Sequence, residues 1–429
     1  MSNSLFSELN LFICAGEASG DSHGAEIILA LKELLNASDS NINLKAWGMG
    51  GAQLKEAGLE IIQDSTNLGI IGIADIIKNL LFFIQLEKRL IQELIDRKPQ
   101  IALFIDYPGL NLRLAKAIKK HLPNCKIIYY VAPQVWAWNE GRLKQIPNLV
   151  DRLFPILPFE EELHKKAGTS VKYVGNPSAW IIGQVEKIFD KQKFFDFMGF
   201  DLNKPLIGIF PGSRNREIDY MLPVFLEAAK ELNKTNPEIQ FLLVRANSIK
   251  PKKIEEYLKK HKIKEDLIKV SDSKYNHYIL KGLDIAWLTS GTVTLEAACC
   301  ETPLILGYRE NPLYWPFYLL VRKIDKIGLP NIIADENICP ELLQENCIVE
   351  NWVNITKQWL SEPELLDNIK KDLREKVKAK LKPELDPTLY IAQEIQTIYQ
   401  ISQASLINAS HIKKQAEINS AQTKKQYKN

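Results

Sequence analysis

The residues best suited to chemistry lie in short polar loops that follow apolar segments. Asp106 ends the apolar run Ala102–Ile105 and precedes Pro108. In parallel α/β sheets, ligands bind at the carboxyl ends of the strands, so a carboxylate there is well placed as a general base. An aspartate that forms a turn or caps a helix before Pro108 is an equally good interpretation.

A glycine-rich loop, residues 15–24 (AGEASGDSHG), follows the first apolar run. Glycine lets the backbone approach a ligand, and a helix that starts after such a turn aims N–H groups at an anion. The letters do not match the dinucleotide fingerprint G-x-G-x-x-G, and Ser19 is one place late for the nucleophile elbow G-x-S-x-G. The loop therefore predicts a ligand site of another kind, although Asp21 or Ser22 could simply cap the helix.

A second loop, residues 210–217 (FPGSRNRE), adds a fixed positive charge. Gly212 and Ser213 can present backbone donors, and the guanidinium of Arg214 can bind two oxygens at once. This combination suits a diphosphate. A solvated arginine in a turn is the weaker interpretation, because the preceding segment is so apolar.

A third loop, residues 289–298 (TSGTVTLEAA), is rich in hydroxyls and opens a predicted helix. The N–H groups at a helix N-terminus bind phosphate oxygens. Glu296 lies about one turn into this helix. There it could accept hydrogen bonds from ribose hydroxyls, or it could complete a capping box with an upstream threonine.

The aromatic segment 129–138 (YYVAPQVWAW) is less specific. Gln134, which follows Pro133, suggests a structured loop at the same edge of the sheet as Asp106. The two tryptophans of this segment could equally be core residues. We therefore expect a loop near the ligand site without a defined chemical role.

Alternating strands and helices must position these loops. The alternation predicts parallel, doubly wound sheets of the α/β class, and two sets of apolar runs predict two such domains. The predicted strands are Leu11–Ala15, Ala102–Ile105, Lys126–Val131 and Lys172–Val174, then Leu206–Phe210, Phe241–Val244, Ile285–Leu288 and Leu304–Leu306. The predicted helices include Gly24–Leu35, Leu110–His121 and Leu222–Leu232, with a further helical stretch in Pro177–Pro205.

The composition is that of an ordinary globular protein. Of 429 residues, 46% are hydrophobic and 25% are charged, and 55 basic against 52 acidic side chains give a net charge of +3. This balance predicts no nucleic-acid partner. The six cysteines contain no C-x-x-C pair, which argues against a zinc ribbon and favours buried, reduced thiols in a cytosolic protein.

The apolar patterning predicts no membrane-spanning helix, because no run of about 18 uncharged apolar residues occurs. The first apolar stretch reads as a strand rather than a signal peptide. Leu68–Leu86 comes closest to a membrane segment, with apolar residues at helical spacing and basic residues after it. This segment could be a helix packed in a domain core, or it could form an interfacial or acyl-chain-binding surface. Its composition slightly favours the core helix.

Together, these segments resemble those of lipid A disaccharide synthases, which are inverting glycosyltransferases of the two-domain GT-B fold. The most specific pieces are AGEASGD, PQVWAW and LPN…PELLQ. The matching segments appear in family order over residues 11–344, with departures at Asn139, Asn176 and 335–336. They are AGEASGDSHGA (15–25), GMGG (Gly48–Gly51), DYPGLN (106–111), YYVAPQVWAW (129–138), LPFE (Leu157–Glu160), FPGSR (210–214), TSGTVTLEAA (289–298) and LPNIIADENICPELLQ (Leu329–Gln344).

The resemblance implies an enzyme that joins UDP-2,3-diacylglucosamine to 2,3-diacylglucosamine 1-phosphate, with no cofactor and no metal. The products would be the β-1′,6-linked disaccharide 1-phosphate and UDP. It implies Asp106 as the catalytic base and Arg214 as the catalytic stabiliser of the leaving diphosphate. The implied UDP-binding residues are Gly212, Ser213, Arg214, Ser290, Gly291, Thr292, Thr294 and Glu296. The implied sugar and acceptor residues are Gly16, Glu17, Ser19, Gly20, Asp21, Gln134 and Trp136.

The resemblance also implies how the domains divide the work. Residues 1–176 would form an N-terminal, Rossmann-like acceptor- and lipid-binding domain, and residues 177–365 a C-terminal, Rossmann-like UDP-sugar-binding domain across a central cleft. Residues 366–402 would be helices that cross back to the N-terminal lobe, before a polar tail at 403–429.

Acylated substrates change the interpretation of Leu68–Leu86, which becomes a membrane or acyl-chain surface. Leu313–Leu320 would lie on the other side of the cleft. The implied protein is peripheral, at the cytoplasmic face of the inner membrane of a Gram-negative-type bacterium, and a homodimer is compatible. The implied surface residues are Ile73, Ile77, Leu80, Leu81, Phe82 and Phe83.

Other functions stay open. A UDP-sugar 2-epimerase of the same fold would share the S-G-T-x-T-x-E signature, but it would not need the apolar stripe. A non-catalytic membrane-surface, nucleotide-binding protein would not need Asp106, Arg214 and Glu296 together. An NAD-dependent Rossmann enzyme is disfavoured by the absent fingerprint.

Overall fold

Two parallel sheets organise the chain. The computed structural model describes residues 7–37, 42–66, 80–138, 140–310 and 326–404. Within these ranges, twelve strands form two six-stranded sheets. The predicted α/β class with two doubly wound domains is confirmed. The six cysteines are free and buried, as their pattern predicted.

The N-terminal sheet has the order β3-β2-β1-β4-β5-β6, which is typical of dinucleotide-binding folds and leaves a crevice beyond β1 and β4. Its strands are β1 Ser7–Ala15, β2 Ile42–Gly50, β3 Glu60–Asp64, β4 Ile101–Ile105, β5 Lys126–Tyr130 and β6 Arg152–Phe154. Its helices are α1 Ala18–Ala37, α2 Ala52–Glu56, α3 Leu80–Arg97, α4 Pro108–His121, α5 Val135–Trp138, α6 Glu140–Leu143, α7 Ile146–Leu149 and α8 Pro158–Lys166.

The second sheet repeats this strand order, as β9-β8-β7-β10-β11-β12. Its strands are β7 Leu206–Phe210, β8 Gln240–Arg245, β9 Ile268–Asp272, β10 Ile285–Thr289, β11 Leu304–Tyr308 and β12 Glu341–Leu343. Its helices are α9 Pro177–Ile188, α10 Lys191–Met198, α11 Asn215–Thr235, α12 Pro251–Lys260, α13 Asn276–Gly282, α14 Thr292–Cys299, α15 Leu329–Ala334, α16 Val349–Ser361, α17 Pro363–Asp372 and α18 Ala379–Leu381, with 3₁₀ turns at Ser273–Tyr275 and Gln344–Asn346 and a π-helical segment at Leu373–Lys378.

The predicted strand Lys172–Val174 is wrong. Only Val171 forms a bridge, to Leu153, and the residues after it are irregular. Their side chains bond to the chain that returns from the second lobe. Lys172 Nζ donates to Tyr390 Oη at 2.7 Å, and Tyr173 Oη donates to the carbonyl oxygen of Lys380 at 3.2 Å. These residues therefore contact the returning chain and are not a strand of the sheet.

The C-terminal helix, residues 387–404, packs against the N-terminal sheet. Its buried residues Ile391, Ala392, Ile395 and Tyr399 belong to the same core cluster as residues of β1 and α1. The chain therefore leaves the second lobe after α18 and returns to the first.

The predicted membrane surface lies partly outside the described residues. Ile73, Ile77 and Leu313–Leu320 are not described, nor is the side chain of Leu80. On the first turn of α3, Leu81 is 76% exposed and Phe82 is 40% exposed, whereas Phe83 packs against the core. Among the described helices, none has the length and apolar content that a membrane crossing requires.

Candidate active site

Both lobes contribute to one cavity of about 310 Å³. The carboxyl ends of β1, β7 and β10 lead into the loops that surround it, as expected for ligand sites of parallel sheets. Glu17 comes from the N-terminal lobe, whereas the other lining residues belong to the second lobe. These are Phe210, Gly212, Ser213, Arg214, Glu217, Val244, Ala246, Ser273, Asn276, Thr289, Ser290, Gly291, Thr292 and Val293.

Asp106 stands at the end of β4 in a constrained turn. Its φ is +47° and that of Tyr107 is +49°, a left-handed region that non-glycine residues seldom adopt. The Asn111 amide donates to the main-chain oxygen of Asp106 at 2.7 Å, and Tyr129 Oη donates to the same oxygen at 2.6 Å. The backbone is thus held by neighbours, and the carboxyl group is not needed to hold it.

Burial raises the pKa of the Asp106 carboxyl to about 7, and the negative charge of Glu17 adds to the rise. A backbone hydrogen bond from Tyr107 and the charge of His23 oppose it more weakly. A carboxyl group with this pKa can accept a proton near neutral pH, which is what a general base requires.

The glycine-rich loop is shaped by packing. A side chain at Gly16 would place its Cβ 2.3 Å from Cγ of Tyr107, so only glycine fits against that ring. Asp21 is buried, and its carboxylate caps α2. It accepts the N–H groups of Gly51 at 2.6 Å, Gln53 at 3.0 Å and Leu54 at 3.2 Å.

Of the residues predicted in this loop, Glu17 reaches the cavity and Ser19 is exposed at the start of α1, whereas Gly20 is buried. Asp21 does cap a helix, but it is α2 rather than its own helix. Its carboxylate therefore acts by fixing the loop, not by facing a ligand.

The loop before α11 carries its own anion. The Glu217 carboxylate accepts the N–H groups of Ser213 at 2.8 Å and Arg214 at 3.2 Å, and it pairs with Nη1 of Arg214 at 3.2 Å. Gly212 has a φ of +115° and would clash with Glu217 if it had a side chain. Sequence reasoning missed Glu217, although its position three residues after Arg214 is that of a capping-box acid.

The hydroxyl-rich loop presents Ser290, Gly291 and Thr292 to the cavity. Thr294, also predicted to bind UDP, is buried, and its Oγ1 donates to the Gly291 carbonyl oxygen at 2.7 Å. Thr294 thus holds the turn that shapes the site.

Glu296 is bound by neighbours on α13. Asn276 Nδ2 donates to Glu296 Oε2, and His277 Nε2 lies 3.9 Å from the same oxygen. Asn276 also lines the cavity, and its Oδ1 is buried without a partner among the described residues. Sequence reasoning missed Asn276, because no motif links it to Glu296.

The aromatic segment 129–138 is hydrogen-bonded to a buried acid, Glu160. Gln134 is exposed, whereas the indole N–H of Trp136 donates to Glu160 Oε1 at 2.9 Å. Burial raises the pKa of Glu160 to about 8, more than its hydrogen bonds from Trp136 and Leu157 lower it, and the charge of Asp106 raises it further. The LPFE motif contained Glu160, but its letters gave it no role.

Within the described residues, no group of three or more histidine, cysteine or carboxylate side chains is arranged to hold a metal ion.

The model of the lipid-A-disaccharide synthetase family matches residues 11–395. A lipid-A-disaccharide synthase of Nitrosococcus oceani is 37% identical over 79% of this chain and 84% of its own, and that of Trichlorobacter lovleyi is 36% identical over 79% and 85%. Among solved structures, a UDP-GlcNAc 2-epimerase of Neisseria meningitidis bound to UDP-GlcNAc has a TM-score of 0.58 at 12% identity, covering 91% of this chain and 100% of its own. A glycosyltransferase of Rickettsia africae has a TM-score of 0.51 at 13% identity, covering 94% and 99%.

The structural similarities, at such low identity, establish the fold alone. Two sheets of the same strand order around a shared cavity define a two-domain α/β protein of the GT-B fold class. The chain belongs to the lipid-A-disaccharide synthase family and is accordingly a glycosyltransferase of lipid A biosynthesis.

Proposed function

We propose that the enzyme transfers the sugar of UDP-2,3-diacylglucosamine to the 6-hydroxyl of 2,3-diacylglucosamine 1-phosphate. The products are the β-1′,6-linked disaccharide 1-phosphate and UDP. The observation that carries this proposal is the shared cavity, where Glu17 of the glycine-rich loop meets the loops 210–217 and 289–298. The names of the curated relatives agree with it.

In this reaction Asp106 acts as the general base. Its carboxylate takes the proton of the acceptor 6-hydroxyl, and the oxygen attacks C1 of the donor on the face opposite UDP. The bond between C1 and the β-phosphate oxygen breaks, and its electrons leave with UDP, so the configuration at C1 inverts. A raised pKa suits Asp106 to this step, because the carboxyl must both accept and later release a proton near neutral pH.

The leaving diphosphate needs compensating charge. Arg214, the turn Ser290–Thr292 and the first N–H groups of α14 supply donors at the cavity wall. Glu217 occupies the N–H groups of Ser213 and Arg214, so the diphosphate binds beside this carboxylate or displaces it. Glu296 holds the ribose, with Asn276 orienting its carboxylate.

The two lobes divide the substrates as the sequence suggests. Residues 1–176 take the acceptor and its acyl chains, and residues 177–365 take the UDP-sugar. The exposed Leu81 and Phe82, next to the apolar stretch that precedes α3, form part of the surface that touches the cytoplasmic face of the inner membrane.

A UDP-sugar 2-epimerase is the second candidate, because UDP-GlcNAc 2-epimerases share this fold. Such an enzyme would act on the donor alone. It would release no UDP in proportion to a disaccharide, and it would have no use for an exposed apolar surface beside α3.

A turnover assay with both acylated substrates tests the proposal. We expect stoichiometric UDP and disaccharide 1-phosphate, with the β-anomeric linkage visible by NMR, and the same rate with and without EDTA. Loss of activity in EDTA would contradict the part of the proposal that assigns the diphosphate charge to Arg214 and helix N–H groups alone. A 2-epimerised donor without disaccharide would support the alternative.

The pH dependence should report the Asp106 carboxyl. Because the base must be deprotonated, kcat/KM is expected to fall about tenfold for each pH unit below about 7, and to level off above it. An ordinary aspartate would place this limb near pH 4. The measurement is kcat/KM between about pH 5 and about pH 8.5, with the residual activity of Asp106→Asn as the control, which should lack this limb. A flat wild-type profile over this range would exclude Asp106 as a base with a raised pKa.

A further inference from the structure

Glu160 is an acid with no assigned role that lies fully inside the protein. It is 0% exposed in the first turn of α8, shortly before the segment that joins the two lobes. Its Oε1 accepts the indole N–H of Trp136 at 2.9 Å, and its Oε2 accepts the Leu157 N–H at 3.3 Å. A buried carboxyl group is costly unless such partners satisfy it, so its place calls for an explanation.

Trp136 connects the aromatic segment to the second lobe. Its ring meets that of Phe159 edge-on with centroids 5.1 Å apart, and both rings pack against the core cluster of the C-terminal sheet, to which Leu157 belongs. The Trp136–Glu160 hydrogen bond therefore fixes a loop of the first lobe where the two lobes join.

The loop that Trp136 ends is strained. Val131, directly after β5, has a φ of +62°, which is an outlier for a β-branched residue and is energetically unfavourable. Such a conformation persists only when its surroundings fix it. At its start the Val131 N–H donates to the Phe154 carbonyl oxygen at 3.0 Å, and at its far end the loop is fixed by Glu160.

We propose that Glu160 is a positioning residue of the active site. By holding the Trp136 indole and the Leu157 amide, it fixes the strained loop 131–136. This loop begins beside Asp106, whose N–H donates to the Tyr130 carbonyl oxygen at 3.0 Å, so a fixed loop keeps the acceptor in place for the base. This inference rests on the proposed transferase function. Glu160 itself touches neither substrate.

The charges around Glu160 favour its neutral form. Asp106 is the acidic neighbour, and the phenol of Tyr173 lies near enough to feel the Glu160 charge. On the next turn of α8, burial lowers the pKa of His164 to about 4, so the imidazole brings no positive charge at neutral pH. A protonated Glu160 leaves Asp106 as the single carboxylate of the pair, and a glutamine has nearly the same shape and charge as that form.

Three variants test the proposal by steady-state kinetics: Glu160→Gln, Trp136→Phe and Glu160→Ala. For Trp136→Phe and Glu160→Ala we expect kcat/KM for the acceptor to fall about 10- to 100-fold, because small misplacements of a reactant are costly. KM for the donor and the Kd of UDP should stay within about twofold. Glu160→Gln should lose clearly less activity than Glu160→Ala, since its side-chain oxygen can still accept the indole N–H although its amide nitrogen cannot accept the Leu157 N–H.

The double variant Trp136→Phe/Glu160→Ala sharpens the test. If Trp136 acts through its hydrogen bond to Glu160, the double variant should be no worse than Glu160→Ala alone. Trp180→Phe is the matched control, because this partly buried tryptophan on α9 makes the same chemical change away from the loop. It should leave kcat/KM unchanged, and thermal unfolding of each variant separates folding defects from kinetic ones.

The outcomes distinguish a failure of the proposed transferase function from a failure of the positioning role of Glu160. If the wild type makes no disaccharide, the proposed function fails and this inference falls with it. If the wild type turns over but Trp136→Phe folds and keeps its acceptor kcat/KM, the positioning role is wrong while the function stands. Equal losses for acceptor and donor, or additive losses in the double variant, would likewise overturn it. Should Glu160→Ala fail to fold, Trp136→Phe and Glu160→Gln decide the question alone.

Discussion

Asp106→Asn is expected to lower kcat for disaccharide formation by about 10²–10⁴-fold, because its amide cannot take the proton of the acceptor hydroxyl. The Kd of UDP should stay within about twofold, since the cavity residues of the second lobe are unchanged. Turnover by UDP release and UDP affinity by calorimetry measure the two quantities.

Asparagine is the right replacement at this position. Asp106 and Tyr107 have positive φ angles, and asparagine tolerates this region better than alanine does. The hydrogen bonds from Asn111 and Tyr129 go to the main-chain oxygen of Asp106, so the substitution leaves them intact. A loss of turnover in Asp106→Asn can therefore be assigned to the carboxyl group. A kcat within tenfold of the wild type, in a folded variant, would show that another group is the base.

Features encoded in neighbouring residues were predictable from the sequence. Apolar runs such as Ile101–Ile105 and Ile285–Thr289 are central strands, and the polar residues after them are at their carboxyl ends. Because parallel strands end at one edge, the sequence could place Asp106 and Ser290 at the carboxyl ends of their strands without knowledge of the contacts.

Contacts between distant residues were not predictable. Asp21 caps a helix that starts 31 residues later, and Glu160 bonds to an indole 24 residues earlier. In the LPN segment, Asn331 is fully buried and both donates to and accepts from the Cys339 backbone, so that residue stabilises the fold. The letters of a motif cannot distinguish a residue that holds a loop from one that faces a ligand, since that difference depends on the partner.

At the join between the lobes, too, the sequence did not show what a residue of a family motif does. Asn176 accepts the N–H groups of Ser178 at 2.9 Å and Ala179 at 3.2 Å, so it caps α9, and its amide donates to the Ile156 carbonyl oxygen at 3.1 Å. This departure from the family pattern is therefore satisfied locally as a helix cap.

The second large effect is expected at Arg214. Its side chain is 54% exposed at the cavity and, within the described part of the chain, pairs with one carboxylate, that of Glu217. Arg214→Ala should lower kcat by about 10²–10³-fold, because one donor to the developing charge of the leaving diphosphate is lost. Arg214→Lys should recover only part of this, since an ammonium cannot bind two oxygens in one plane. Single-turnover rates at saturating substrates measure the effect on chemistry.

Arg216→Ala provides the matched control. Arg216 is two residues further on in the first turn of α11, and its guanidinium pairs with Glu310 at 2.5 Å rather than lining the cavity. A partly exposed surface ion pair of this kind contributes about 0–1 kcal/mol, so this variant should fold and keep kcat within about threefold. The backbone N–H groups of Ser213 and residue 214 can still bind Glu217 in Arg214→Ala, which preserves the loop. Equal losses in the two arginine variants would mean that net positive charge near the cavity, rather than a guanidinium at the diphosphate, is what the reaction needs.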